Sequence, residues 1–373
     1  MDDASGQRLL RAGEPSRWLD SCGNGDGVRL LTVNAGSTST KVSVLDETRD
    51  EKVYDSLDAA IDDIDVWAGV DAVAHRVVHG GGRTEPVVID DAVRSELTDL
   101  TDLAPLHQKP GLDAIDVCRG ILPSVPQFAC FDTSFHATLP VAARTYAVPQ
   151  RLRERIRVYG FHGLSYAWAA ARVKELAPEA HRVLVAHLGG GGSLCGLVAG
   201  RSVTTTMGFT PLDGLVMATR SGSLDPGALL WLARHTDEDL DHVLERESGL
   251  LGLCGTADMR EVLRRAATED AAAGLALEVY IGRLVRLLGG CVADMGGIDA
   301  LVFTGGIGEN SAPLRALICD RLRWLGVGIN PTGDLGDGSE LTTSGATVRT
   351  FVVHAREDRQ MFTEVAAMLA RSN

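Results

Sequence analysis

Val183-Leu184-Val185-Ala186-His187-Leu188-Gly189-Gly190-Gly191-Gly192-Ser193 is the stretch on which the fold turns. An apolar, β-branched run enters a turn built of glycines, and Leu194-Cys195-Gly196-Leu197-Val198 leaves it. An Ala199-Gly200 turn then leads into residues 202–206, so the segment predicts strands joined by tight turns. The same arrangement stands near the start of the chain. There Val28-Arg29-Leu30-Leu31-Thr32-Val33 enters the small polar turn Asn34-Ala35-Gly36-Ser37-Thr38-Ser39, and Lys41-Val42-Ser43-Val44-Leu45 leaves it. Two such hairpins half a chain apart predict a duplicated domain, against the plainer reading of two unrelated hairpins.

A third glycine cluster, Thr304-Gly305-Gly306-Ile307-Gly308-Glu309-Asn310, follows the apolar Ala300-Leu301-Val302-Phe303. Helical spacing of apolar residues predicts helices over 229–234, 271–293, 312–325 and 358–370. Strands alternating with helices define an α/β protein.

Glycine lets backbone N–H groups approach phosphate oxygens, so three glycine-rich turns leaving strands point to phosphate chemistry. The usual phosphate signatures are absent. All four lysines, Lys41, Lys52, Lys109 and Lys174, lack the preceding glycine of a Walker A loop, and no G-x-G-x-x-G occurs. His79-Gly80-Gly81-Gly82 resembles an esterase oxyanion loop. That reading needs a nucleophile elbow, and Gly191-Gly192-Ser193-Leu194-Cys195 lacks its final glycine.

The 373 residues are 45% hydrophobic, enough for two domains, and the formal net charge of −14 excludes a general nucleic-acid or anionic-membrane surface. No run approaches the ~20 apolar residues of a membrane span. Seven scattered cysteines without a C-x-x-C pair predict reduced, mostly buried thiols in a cytoplasmic protein. Residues 1–27 are polar and glycine-rich without the basic-then-apolar order of a signal peptide, and are expected to form a flexible extension outside the fold.

Charged residues in apolar company supply the candidate chemistry. Arg76 lies inside Ala72-Val73-Ala74-His75-Arg76-Val77-Val78, and Arg220 precedes Ser221-Gly222. A strand arginine is ordinarily a solvated edge residue, but a guanidinium also suits carboxylate and phosphoryl oxygens. His107, His136, His162 and His187 stand near turns or strand ends without metal-ligand spacing, as structural histidines commonly do. Asp132 follows the apolar Cys130-Phe131, where an unpaired carboxylate is costly, so a magnesium ion or an arginine partner is expected.

Taken together these segments resemble the acetate kinase family. Eight words match in order from about residue 30: Asn34 to Ser39 with Lys41; His75-Arg76-Val77-Val78-His79-Gly80-Gly81; Leu103-Ala104-Pro105-Leu106-His107; Phe131-Asp132-Thr133-Ser134-Phe135-His136; Tyr159-Gly160-Phe161-His162-Gly163; Met207-Gly208-Phe209-Thr210-Pro211-Leu212 running to Thr219-Arg220-Ser221-Gly222; Ser248-Gly249-Leu250-Leu251-Gly252; and Phe303-Thr304-Gly305-Gly306-Ile307-Gly308-Glu309-Asn310-Ser311.

The resemblance implies the acetate and sugar kinase/Hsp70/actin fold, two ribonuclease H-like domains facing each other across a nucleotide cleft. The first would comprise residues 28–132 and 357–373, and the second, residues 133–356, would bind nucleotide and form a homodimer. It implies reversible, in-line transfer of the ATP γ-phosphoryl group to acetate or propionate, with Mg2+. Arg76 would hold the substrate carboxylate, Arg220 the transferring phosphoryl group, and His162 would donate to an equatorial oxygen. Asp132 matches an acid/base or metal-positioning residue. Positioning is the better reading, because a carboxylate nucleophile is already ionised at neutral pH. Asn34 and Glu357 match magnesium positions. Val78, Leu106, Phe161 and Pro211 match the small apolar substrate pocket. Lys41, His187, Leu188, Gly189, Gly190, Gly191, Asp258, Met259, Arg260, Gly306, Ile307, Gly308, Glu309 and Asn310 match nucleotide-contacting positions.

The chain departs from the family pattern in four places. Gly190 replaces an asparagine in the second phosphate turn, and Tyr166 replaces a second histidine after His162. The segment between Lys41 and Arg76 is short, and Ala355-Arg356-Glu357-Asp358 stands for Thr-Asn-Glu-Glu. A kinase for another small carboxylate, or a non-catalytic actin-like nucleotide-binding protein, would share these words. The second is disfavoured by the joint presence of Arg76, Asp132, His162 and Arg220.

Overall fold

Apolar strand runs assemble two mixed sheets of six strands each in the computed structural model, which describes residues 28–35, 40–46, 50–63, 67–330 and 336–372. The first sheet contains β1 (Leu30–Ala35), β2 (Thr40–Leu45), β3 (Asp50–Tyr54), β4 (Ala72–Val77), β5 (Val87–Val88) and β6 (Gln127–Phe131), ordered β3-β2-β1-β4-β6-β5. The second contains β7 (Arg182–Leu188), β8 (Gly192–Val198), β9 (Arg201–Thr205), β10 (Ala300–Thr304), β11 (Ser339–Glu340) and β12 (Arg349–Val352), ordered β11-β12-β10-β7-β8-β9.

The two orders are the same topology. An antiparallel meander, β1-β2-β3 or β7-β8-β9, is followed by two strands added in parallel beside its first member. A short antiparallel strand, β5 or β11, closes each edge. The duplication read from two glycine-rich hairpins is therefore present strand for strand. The first hairpin's turn, residues 36–39, and the extension over residues 1–27 lie outside the described residues.

Six helices position the cleft: α1 (Pro105–Ile121), α2 (Gly163–Leu176), α3 (Met259–Ala266), α4 (Ala271–Met295), α5 (Gly305–Asn310) and α6 (Glu357–Ser372). Alternate residues of a strand face opposite sides of its sheet. Leu31 and Val33 accordingly pack with Ala114 and Cys118 of α1, while Leu30 packs with Met361, Phe362 and Val365 of α6. In the second sheet Leu184 and Ala186 pack with α4, and Val183 and Val185 with α2. Strands covered on both faces read as continuous apolar runs, which is the pattern of β1 and β7. α2 also sends Leu164 into the core of the first sheet, so it joins the two halves.

The sequence leaves two placements open. β4 is central, between β1 and β6, so Arg76 is not the solvated edge residue that a strand arginine ordinarily is. The third glycine cluster starts α5 directly off β10, and Arg315 Nη1 donates to the carbonyls of Gly308 and Glu309 near its end. The six described cysteines are unpaired and buried, while Cys22 lies outside the described residues.

Candidate active site

The C-terminal ends of β1, β4 and β6 deliver Asn34, Arg76 and, one residue past β6, Asp132. Glu357, the first residue of α6, reaches the same point from the chain's other end. Arg76 binds them together. Its Nε and Nη2 donate to Asp132 Oδ2 at 3.0 and 2.7 Å, and its Nη1 donates to Asn34 Oδ1 at 3.0 Å and Glu357 Oε2 at 3.3 Å. Asn34 Nδ2 donates to Glu357 Oε2 at 2.6 Å. Four of the five guanidinium N–H groups are thus engaged.

Burial works against the Arg76 charge, but Asp132 and Glu357 outweigh it and hold its pKa above the ordinary value. Asp132 is fully buried and shares this one guanidinium with Glu357; burial and the Glu357 charge push its pKa up against the pull of Arg76. Glu357 moves the other way, because the Arg76 charge and the Asn34 amide overcome its burial. Asp132 Oδ1 has no hydrogen bond of good geometry among the described residues, although the Leu164 backbone N–H acts favourably on the carboxylate.

The opposite wall comes from the second sheet. His162 caps α2 with φ at 58°, a left-handed conformation that costs a histidine of order 1–3 kcal/mol and is held by its surroundings. Gly163, next to it, donates to the Asp132 carbonyl at 2.9 Å; a side chain there would overlap that oxygen. His162 and His187 stack with centroids 4.2 Å apart, and each is anchored by a serine. Ser193 lies 2.9 Å from His162 Nδ1 and Ser165 lies 2.8 Å from His187 Nδ1. Burial lowers the His187 pKa to about 4, so this ring is neutral at pH 7.

Arg220 is 5% exposed and has no carboxylate at ion-pair distance among the described residues. Its Nη1 donates to the Pro211 carbonyl at 2.8 Å. Burial lowers its pKa to about 10, which leaves it charged at pH 7. A Cβ on Gly191 would sit 2.6 Å from Arg220 Nη2 and 3.4 Å from His162 Nε2, so that glycine is what lets both groups face one point.

Asn34, Lys41, Arg76, His162, His187, Gly189, Gly190, Gly191, Arg220, Gly306 and Glu357 line one cleft of about 500 Å³. Of the other nucleotide positions, Leu188 and Met259 are buried in the second core and Ile307 packs against it. Gly308 is buried, Glu309 Oε1 accepts from Ala355 N–H, and Asn310 Nδ2 donates to the Gly306 carbonyl. Asp258 caps α3 and pairs with Arg260 at 2.7 Å; the neighbouring Ala257 reaches the cleft. Val78 and Phe161 form one buried apolar cluster, joined by Met207, Met217 and Ala104, which the sequence reading did not select. Met207 does open one of the matched words. Leu106 lies in α1, with its side chain outside the described residues.

A larger hollow of about 920 Å³ opens beside Leu263, Leu277, Leu317 and Val327, away from these groups. Its arginines are already matched, Arg264 with Glu261 and Arg323 with Asp320, so it gathers no free set of donors. The smaller cleft holds the chemistry.

Among the described residues no group of three or more His, Cys, Asp or Glu side chains could enclose a metal alone. The oxygens of Asn34 and Glu357 nonetheless suit magnesium, a hard ion that takes one or two protein oxygens and fills its remaining positions with water and phosphate.

Two sheets of one topology, with glycine-rich backbone and buried arginines lining one cleft, have the form of the acetate and sugar kinase/Hsp70/actin class. The chain belongs to the acetokinase family, kinases with a carboxylate acceptor, whose model matches residues 61–363. It is 48% identical over 284 residues to an acetate kinase of Clavibacter michiganensis, covering 74% of this chain and 70% of the relative. An acetate kinase of Protochlamydia amoebophila is 42% identical over 299 residues, covering 78% and 75%. Among solved structures, a propionate kinase from Francisella tularensis aligns with a TM-score of 0.82 at 32% identity, over 90% of this chain and 98% of its own. The acetate kinase of Entamoeba histolytica aligns with a TM-score of 0.82 at 30% identity, over 91% and 99%.

Proposed function

We propose that this cleft transfers the γ-phosphoryl group of ATP to acetate or propionate, reversibly and in line, giving ADP and the acyl phosphate. The observation that carries the reading is Arg220, a buried and charged guanidinium aimed past Gly191 into the cleft, which feels the Glu245 charge but has no carboxylate at ion-pair distance among the described residues. A buried cation without a counter-ion is costly unless its ligand supplies one. A phosphoryl group in transfer carries its charge on equatorial oxygens, where Arg220 and His162 would act as donors.

Arg76 would hold the substrate carboxylate beside the apolar cluster of Val78 and Phe161, with Leu106 and Pro211 completing the pocket. Magnesium neutralises phosphate charge when bound, and Asn34 and Glu357 would hold it. When their oxygens turn to a cation, the Nη1 donors of Arg76 are released for the substrate. Asp132 keeps Arg76 oriented throughout. The nucleotide would lie along Lys41, residues 187–191, Asp258, Met259, Arg260 and Gly306 to Asn310, met largely by backbone where the side chains turn inward.

Residues 28–132 with 357–373 would move as one domain against residues 133–356. A homodimer through the second is supported by the exposed Leu229, Leu230 and Trp231 on the helix Pro226–His235. No helix among the described residues is long and apolar enough to cross a membrane. A cytoplasmic location is part of the proposal.

The test is acyl hydroxamate formation from ATP, Mg2+, hydroxylamine and a series of acids from formate to butyrate. Activity should peak at acetate or propionate, and Arg220→Ala should lower kcat by about 10²–10³-fold. Intact ATP binding with no hydroxamate from any acid would overturn the reading.

A further inference from the structure

Behind His162 a short chain of hydroxyls runs into the second core. His162 Nδ1 lies 2.9 Å from Ser193 Oγ, and that oxygen lies 2.5 Å from Tyr166 Oη. Ser193 and Tyr166 are both fully buried. His162 caps α2 and Tyr166 follows four residues later, so both lie on the helix face that meets β8, where Ser193 is the second residue.

The direction of these hydrogen bonds follows from acidity. A phenol is a stronger donor and a weaker acceptor than an aliphatic hydroxyl. Ser193 is the one hydrogen-bond partner of Tyr166 Oη among the described residues. If the phenol accepted from Ser193, its own proton would be buried without an acceptor, which is costly. Tyr166 therefore donates to Ser193 Oγ, and the serine proton passes to His162 Nδ1. That nitrogen must then be the unprotonated one. Burial raises the phenol pKa well above its ordinary value, so Tyr166 keeps its proton.

We propose that Tyr166 and Ser193 are positioning residues that hold His162 as its Nε2–H tautomer, presenting a hydrogen-bond donor to the point that Arg220 and Gly191 also face. Tyr166 does this in place of the second histidine of the matched family word. The catalytic value of the relay rests on the proposed role of His162; its existence does not.

Nitrogen-15 NMR of the histidine-labelled full chain, without substrate, reads the tautomer directly. His162 should carry its proton on Nε2, and Tyr166→Phe or Ser193→Ala should move population to Nδ1–H. In acyl phosphate synthesis both variants should lose about threefold to thirtyfold in kcat, with KM for ATP and acid within twofold, and Ser193→Thr should restore the rate. An Nδ1–H tautomer in the unaltered protein overturns the inference. So do an unchanged tautomer and an unchanged kcat in both variants. The Nε2–H form in a protein that makes no acyl phosphate would uphold the relay and defeat the proposed function instead.

Discussion

Adjacent glycines of one turn carry opposite constraints. Gly190 faces open space, with nothing within 4 Å of where a Cβ would stand, whereas a Cβ on Gly191 would push against Arg220. Gly190→Asn is therefore sterically admitted and adds a side-chain donor at the phosphate turn. It should lower KM for ATP by about twofold to tenfold, the value of one added hydrogen bond, with little change in kcat. Gly191→Ala should displace Arg220 and cost about 10²-fold in kcat while leaving the melting temperature nearly unchanged. Steady-state kinetics on the pair decides the point, and equal effects at the two positions would contradict the geometry. Both glycines were legible as parts of a phosphate turn, but their difference was not. It depends on Arg220, which lies some thirty residues away in sequence and arrives through a loop. The serines behind His162 and His187 were invisible for the same reason: Ser193 meets His162 only through the packing of α2 on β8.

At the scale of elements, the N-terminus of α2 is the joint between the two sheets. His162 caps the helix, Gly163 touches the Asp132 carbonyl, Leu164 enters the first core, and Tyr166 and Ala169 enter the second. Any side chain at 163 must drive the helix away from β6. Gly163→Ala should destabilise the protein by about 1–3 kcal/mol, typical of overpacking at a tight contact, and lower activity by moving His162 relative to Arg76. Urea denaturation with an unchanged slope and a lower midpoint would agree; an unchanged midpoint would show that the joint yields freely. The hairpins were legible at this scale because apolar runs and glycine turns mark meanders locally. The central place of β4 was not, because its neighbours β1 and β6 come from distant segments and only sheet order shows that Arg76 stands inside. The third glycine cluster became a helix start for a similar reason: glycine frequency marks a chain reversal without saying whether a strand or a helix follows.

Across the whole molecule, burial decides the response to pH. His75, His79 and His136 lie in the interior with pKa values lowered from 6.5 to about 4, by burial first in each case. Their hydrogen bonds agree with a neutral ring. His79 Nδ1 accepts from Gly81 N–H, and His75 Nδ1 has no partner among the described residues to receive an added proton. An unfolded histidine binds a proton near pH 6.5 while these do not, so between about 6.5 and 4 the unfolded state holds more protons and stability falls as pH falls. Each contributes at most about 3 kcal/mol across that window. Glu364 opposes them. Burial raises its pKa to about 7, so the folded state holds the extra proton above 4.5, and this stability is lost as pH rises through about 7. His187, which burial also lowers to about 4, acts with them, so four groups outweigh one, and the melting temperature should drop by roughly 6 °C between pH 7.5 and pH 5. Glu364→Gln removes the opposing group, so the drop should steepen in that variant. A melting temperature that stays level or rises on acidification, measured by calorimetry at constant ionic strength, would mean that these imidazoles are not held neutral by the fold.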